Sequence, residues 1–452
     1  MKKTTQLPLL LSTALLFSCG NSVETEVKGN DVKIATYNLS FDRLSFETLV
    51  EQMEISPTNQ DELVTAYLAG TITDEDEEET AEKIIQIRNV AAIIQKNRPN
   101  VIMMSEFNND GTGDDLSALN GFQENYLSVA QSLDGAGGEA NLEPITFSYL
   151  DSYSTNTGLV SDLDLNNNGT GGDDYDTWGF GLYHGQYAFA LMSQYEIDTD
   201  NTRTFQTFKW KDLEGQSIPT ITVCDGSYTI PDGMSCGDNW YTDSEWEQVR
   251  LSSKNHVDAP IIIPTENGNE VIHLLMSHPT PPVYDTGKNL AQNAAEVNFW
   301  NQYINNKDFF YDDNGITGGL AENEKFIIMG DQNLDPVDGD GEMAVMQALH
   351  DDPSINQGVT NGEFYPTSEG ATEYATDESI DHPSPTRITS TFGLNVDYVL
   401  PSANIDVIDS GVYWPTSDDE GRLLLNDERI GNGTGKDISS DHRITWIKIN
   451  LD

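Results

Sequence analysis

The feature that most constrains this chain is a series of short apolar runs, each of which stops at a polar residue. KIATYN ends on Asn38, VIMMSE on Glu106, VIHLLMSH on His278, and KFIIMGDQN on Asp331 and Asn333. Nearer the C-terminus, NVDYVL carries Asp397, and SSDHRITWIKI sets Asp441 and His442 ahead of another run. Runs of this length and β-type composition predict strands, and their near-continuous apolar character predicts strands buried on both faces of a layered sheet. Between the first two, Ile84, Ile87, Ala91 and Ile94 recur at spacings of three and four, which predicts an amphipathic helix ending before Pro99. The acidic run at 74–79 falls at its start, where the helix dipole favours negative charge, and reads as a solvated helix entry.

Residues around 110–178, 198–262, 308–322 and 350–385 are rich in Gly, Asn, Asp, Ser and Thr, with little periodicity. They read as long loops inserted into one core. Residues 1–19 carry Lys2 and Lys3 ahead of a short apolar stretch closing on Leu16-Phe17-Ser18-Cys19, the pattern of an export signal. That ending resembles the lipobox of bacterial lipoproteins, which implies acylation of Cys19 and lipid anchoring at the outer membrane or cell surface. Residues 20–30 then form a tether and 31–452 the folded body. Of three cysteines, Cys224 and Cys236 remain after Cys19 and are expected to form a local disulfide, in keeping with export.

The formal charge of −52 argues against any broad basic surface for a polyanion, so nucleic-acid binding by counterion release is disfavoured as the main source of affinity. Acids and amides at the ends of neighbouring strands can instead converge on one crevice. Without a Cys or His cluster, such oxygen donors favour a hard cation, Mg²⁺ before Mn²⁺ or Ca²⁺. Phosphate-ester hydrolysis needs such a cation together with a base and groups that hold the phosphoryl oxygens.

Taken in order, TYN, SEF, SHP, GDQN, VDYVL and SSDH resemble the endonuclease/exonuclease/phosphatase family, the superfamily of DNase I, over about residues 33–448. SHPTPPVYD also resembles a branch seen in large secreted bacterial proteins. The resemblance implies an α+β fold, a four-layer α/β/β/α sandwich of two mixed sheets flanked by helices. It implies Glu106 as the main metal ligand, Asn38 near the metal or the phosphate, and Asp441 as a further ligand. Asp331 would act on the attacking water and Asn333 hold it or a phosphate oxygen. His442 would polarise the phosphoryl oxygens while Asp397 fixes its tautomer, and His278 would contact phosphate or assist the leaving group. Because Asn38 and His442 must then meet, the body is one domain.

Two departures bear on substrate: Ala188 stands where the family usually has glycine, and Asn395 where the related branch often has a basic residue. Tyr183, His184 and Gln186 are expected to line the crevice, and Arg387 is a candidate phosphate contact. Asp164-Leu-Asn166-Asn-Asn168-Gly169 and residues 335–342 have the oxygen spacing of calcium loops, but read better as Gly/Asp turns. The expected function is extracytoplasmic phosphodiester hydrolysis, including nucleic acid, without a protein partner. The alternatives are a phosphomonoesterase or lipid-headgroup diesterase, and a calcium- or glycan-binding surface lipoprotein with an inactive core.

Overall fold

A computed structural model describes residues 31–451; the export signal, Cys19 and the tether lie outside them. The strands are β1 (Asp31–Phe41), β2 (Val101–Phe107), β3 (Tyr149–Ser152), β4 (Phe189–Ser193), β5 (Glu196–Ile197), β6 (Arg203–Thr204), β7 (His256–Thr265), β8 (Gly268–Ser277), β9 (Phe326–Asp331), β10 (Asp397–Pro401), β11 (Asp406–Val412) and β12 (Thr445–Asn450). They form two mixed sheets, ordered β11-β12-β1-β2-β4-β3 and β10-β9-β8-β7-β5, with β6 pairing β7. One apolar cluster joins β1 and β2 to β8 and β9, and a second lies between the first sheet and its helices. The result is the four-layer α/β/β/α sandwich.

Each sheet has one parallel pair, β1 with β2 and β8 with β9, and each pair is bridged by a crossover containing a long helix. The first helix, Glu75–Asn97, starts at Asp74, whose side chain accepts the Glu77 N–H, and buries Ile84, Ile87, Ala91 and Ile94. Its acidic first turn stays solvated. The second, Lys288–Tyr303, lies on the other sheet, where Trp300 Nε1 donates to Ser277 Oγ at 2.8 Å.

The loops are less bare than the sequence predicts. Residues 198–262 contain β6 and most of β7, and residues 350–385 contain helices Gln357–Thr360 and Glu369–Asp377. In β7, Pro260 and Pro264 mask the strand pattern. They are tolerated because both face the outer edge of β7, where Pro260 takes part as an acceptor, its carbonyl receiving the Asp198 N–H at 2.8 Å, and neither position has to donate. Cys224 and Cys236 are disulfide-bonded within the 198–262 stretch.

Both calcium-like segments satisfy their own turns. Asp164 accepts the Asn168 and Gly169 N–H groups. Asp335 accepts those of Val337 and Asp338 and also bonds His382 at 3.0 Å and the Asn395 N–H at 2.7 Å.

Candidate active site

Strand direction explains how residues hundreds of positions apart meet. β1, β2, β8 and β9 end at the edge of the sandwich where β10 and β12 begin, because β10 runs antiparallel to β9 and β12 to β1. Along β1, Val32 and Ile34 enter the inter-sheet core while Ala35, Tyr37, Leu39 and Phe41 face the helices. The inward face therefore continues as Thr36, Asn38 and Ser40. The crevice is the polar end of the core.

Along β2, Val101 and Met103 point inward and Ile102 and Met104 toward the helices. This alternation breaks at Glu106, which adopts a left-handed φ of 57° where the register with β1 shifts. The conformation costs a non-glycine residue roughly 1–2 kcal/mol. It returns Phe107 to the helix side and brings the Glu106 carboxylate to the crevice, where Asn38 Nδ2 donates to Glu106 Oε1 at 3.2 Å and to Asp331 Oδ2 at 3.1 Å. The Asn38 oxygen accepts the Ser40 N–H, so this amide ties two carboxylates to the end of β1.

Asp331 is the hub. Its Oδ2 lies 3.4 Å from His278 Nε2 and 3.7 Å from His442 Nε2, and its Oδ1 accepts the Asn333 N–H at 2.9 Å. His442 Nδ1 is 2.9 Å from Asp397 Oδ2. Asp441 accepts a 2.5 Å bond from Ser40 Oγ, and Ser440 Oγ donates to the Asn38 carbonyl at 2.6 Å, tying the segment before β12 onto β1. Asn333 Nδ2 donates to the Pro279 carbonyl at 3.1 Å, and its Oδ1 has no partner among the described residues.

Charge separates the two histidines. Burial opposes a charged His442, but Asp397, Asp331 and Asp441 outweigh it and raise its pKa to about 10. Burial and then the Lys254 ammonium push His278 down to about 4. At neutral pH the site thus holds an imidazolium and a neutral imidazole side by side. Burial works against ionised Asp331, yet charged His442 and the Asn333 N–H hold it below the usual carboxylate range.

Burial, with repulsion from Asp42 and Asp441, lifts Glu106 to about 7. Burial and the neighbouring acids destabilise the Glu106 anion, a penalty that a hard divalent cation would relieve, so Glu106 with Asp441 fits such an ion. Asp331, Asp397 and His442 also place one ligand atom each within 4.8 Å of one another. Both imidazole nitrogens there already face carboxylates, so that trio is assigned to proton handling.

The family model for the endonuclease/exonuclease/phosphatase family matches residues 35–442, which spans this whole constellation. The chain belongs to the endonuclease/exonuclease/phosphatase family. It is a phosphoester hydrolase of that family, whose members are typically dependent on divalent metal. Among solved structures, it is similar to an endonuclease/exonuclease/phosphatase from Beutenbergia cavernae at 12% identity, covering 93% of this chain and 72% of the other, with TM-score 0.42. A family protein from Leptotrichia buccalis is similar at 14% identity, covering 93% and 99%, with TM-score 0.40. A Bacteroides thetaiotaomicron mannosyl-6-phosphatase is similar at 11% identity, covering 93% and 100%, with TM-score 0.38. No curated protein matches the sequence significantly.

In this family member each of the outer predicted residues has a partner outside the central cluster. Tyr183 gives its hydroxyl to the Arg43 carbonyl at 3.2 Å, His184 Nε2 lies 2.9 Å from the Thr155 carbonyl, and Gln186 Oε1 accepts the Leu182 N–H. Arg387 does not join the cluster: its guanidinium stacks 3.7 Å from the ring centre of Tyr365, whose hydroxyl accepts from Asn395. Sequence reasoning missed Ser40 and Ser440, whose hydroxyls fix Asp441, and Asn293, whose amide holds the Thr280 and Gln332 carbonyls. It also missed Lys254. The mouth carries Phe392, half exposed and 5.4 Å from the His442 ring, and exposed Phe180 stacked on Tyr187.

Proposed function

We propose that this protein is an exported, lipid-anchored hydrolase that cleaves phosphodiesters with the help of a divalent cation, Mg²⁺ foremost. The observation that carries the reading is the convergence of Glu106, Asp331, His278, Asn333 and the Asp397–His442 pair on one polar crevice. The disulfide between Cys224 and Cys236 supports an oxidising location, and the lipobox-like Cys19 supports the anchor.

Glu106 and Asp441 would hold the cation, which would supply positive charge against that growing on the phosphate. Asp331, ionised at neutral pH, accepts the proton of the attacking water, and Asn333 Oδ1 accepts that water's second hydrogen. The water oxygen forms the new bond to phosphorus as the bond to the leaving oxygen breaks. His442 donates to a phosphoryl oxygen, and Asp397 keeps its Nδ1 protonated and its ring oriented. His278 contacts the phosphate from the other side of Asp331.

The −52 formal charge and the aromatic mouth favour a small or lipid-headgroup diester over duplex DNA. The test is to assay purified protein with Mg²⁺, Mn²⁺ or Ca²⁺ on bis-p-nitrophenyl phosphate, p-nitrophenyl phosphate, plasmid DNA and RNA. The diester is expected to turn over fastest, and His442→Ala to abolish turnover. Undiminished hydrolysis by that variant sinks the mechanism.

A further inference from the structure

Lys254 lies in the buried segment Ser252–Asn255 that leads into β7, and is only 6% exposed. Glu296, from helix Lys288–Tyr303, fixes the segment. One of its oxygens accepts from the Ser253 N–H and hydroxyl at 2.6 and 2.9 Å, and the other from the Thr280 N–H at 2.8 Å. Glu296 thereby holds the residue before Lys254 and the chain just beyond His278 in one arrangement.

A lysine ammonium has three donors. Here one is used, on the Pro279 carbonyl at 3.4 Å, and among the described residues no carboxylate comes within the 4.0 Å of an ion pair. Both Glu296 oxygens are spent on the backbone and on Ser253. The Glu296 charge reaches the ammonium only from beyond ion-pair distance, and a buried cation without a directly bonded counterion is disfavoured until a ligand supplies one.

Its position says which ligand. The Pro279 carbonyl also accepts from Asn333 Nδ2, so the ammonium and that amide point at one spot, one residue beyond His278. Of the surrounding carboxylates the ammonium feels Glu296 most, and then Glu106 and Asp331 across the crevice. From this juxtaposition we infer that Lys254 Nζ binds a non-bridging oxygen of the scissile phosphate, on the His278–Asn333 side and opposite His442. The inference rests on the phosphoester reading above and deepens it: the crevice grips the phosphate with a buried lysine that has no direct ion pair as well as with an imidazolium.

Lys254→Met removes the charge and keeps the volume, and Lys254→Arg keeps the charge. Inorganic phosphate serves as probe, its affinity measured by calorimetry in Mg²⁺ buffer alongside kcat/KM on bis-p-nitrophenyl phosphate. The Met variant is expected to bind phosphate roughly 10- to 100-fold more weakly, the loss of a charge-assisted hydrogen bond, with a Tm equal to or above that of the parent. Lys254→Arg is expected to bind within several-fold of the parent. Should Lys254→Met not fold, Lys254→Ala supplemented with ethylammonium takes its place, and recovery of phosphate binding with added amine is the expected result. Phosphate affinity within threefold of the parent in the Met variant, or no recovery by amine in the Ala variant, overturns the inference. Parent protein that hydrolyses no phosphoester refutes the functional reading instead, so the two failures are distinguishable.

Discussion

His256 and His350 make stability depend on acid in a way that can be worked from their surroundings. His256 is fully buried; its Nδ1 is 2.6 Å from Ser252 Oγ, its Nε2 2.9 Å from the Glu296 carbonyl, and the Phe299 and Trp300 rings lie 4.3 and 5.1 Å away. Burial lowers its pKa from 6.5 to about 4. His350, whose Nε2 has no partner among the described residues, is lowered to about 4 by burial and then by Arg387. Because the folded state resists protonation, the unfolded chain binds more protons between pH 6.5 and 4. Stability is therefore full above pH 6.5 and lost as pH falls through that window. A shift of this size amounts to about 3 kcal/mol per histidine, against a typical total of roughly 5–15 kcal/mol. His256→Gln removes one titrating group and keeps two polar atoms. Urea unfolding at pH 8, 6.5, 5.5 and 4.5 on both proteins isolates the term, since carboxylates shared by the two cancel in the difference. The variant is expected to be less stable at pH 8 but to lose about 3 kcal/mol less on acidification. Parallel stability curves for the two proteins across that range would refute the reasoning.

Asp397→Asn is expected to lower kcat by roughly 10²- to 10⁴-fold with an unchanged fold, because the His442 imidazolium loses its leading partner; a loss under threefold contradicts the assignment. Mg²⁺ at about 100 times its Kd should stabilise the protein by about 2.7 kcal/mol, a shift that Glu106→Gln abolishes while the metal-free variant stays at least as stable as the parent, since repulsion with Asp42 and Asp441 is relieved. Equal Mg²⁺-induced shifts in Tm would remove Glu106 from the metal site. Cys19→Ser is expected to move the protein from the membrane to the soluble fraction of a producing bacterium; retention in the membrane pellet would discount lipid anchoring.

The strands at the crevice were legible because covered strands have near-continuous apolar sequences, and the residue that ends each one is the residue the crevice uses. β11, DVIDSGV, was not: it is an edge strand with Asp406, Ile408 and Asp409 exposed, so its pattern resembles a loop. Helix Lys288–Tyr303 was hidden because it buries Gln292, Asn293 and Glu296 as well as Phe299 and Trp300, and polar residues at core positions blur the apolar face. Those buried polar residues hold the strand-end segments around the crevice. Lys254 was invisible for a related reason, since nothing local in SSKNH announces that a lysine will be buried. Arg387 misled in the opposite sense: a cation suited to phosphate found an aromatic ring nearer to hand.

The left-handed backbone at Glu106 sets this position apart from the other acidic residues of the crevice. At φ 57° the conformation belongs by preference to glycine, so the side chain that chemistry requires and the residue that the backbone prefers are different amino acids. A search for thermostable variants by glycine scanning would select Glu106→Gly and discard the enzyme in the same step.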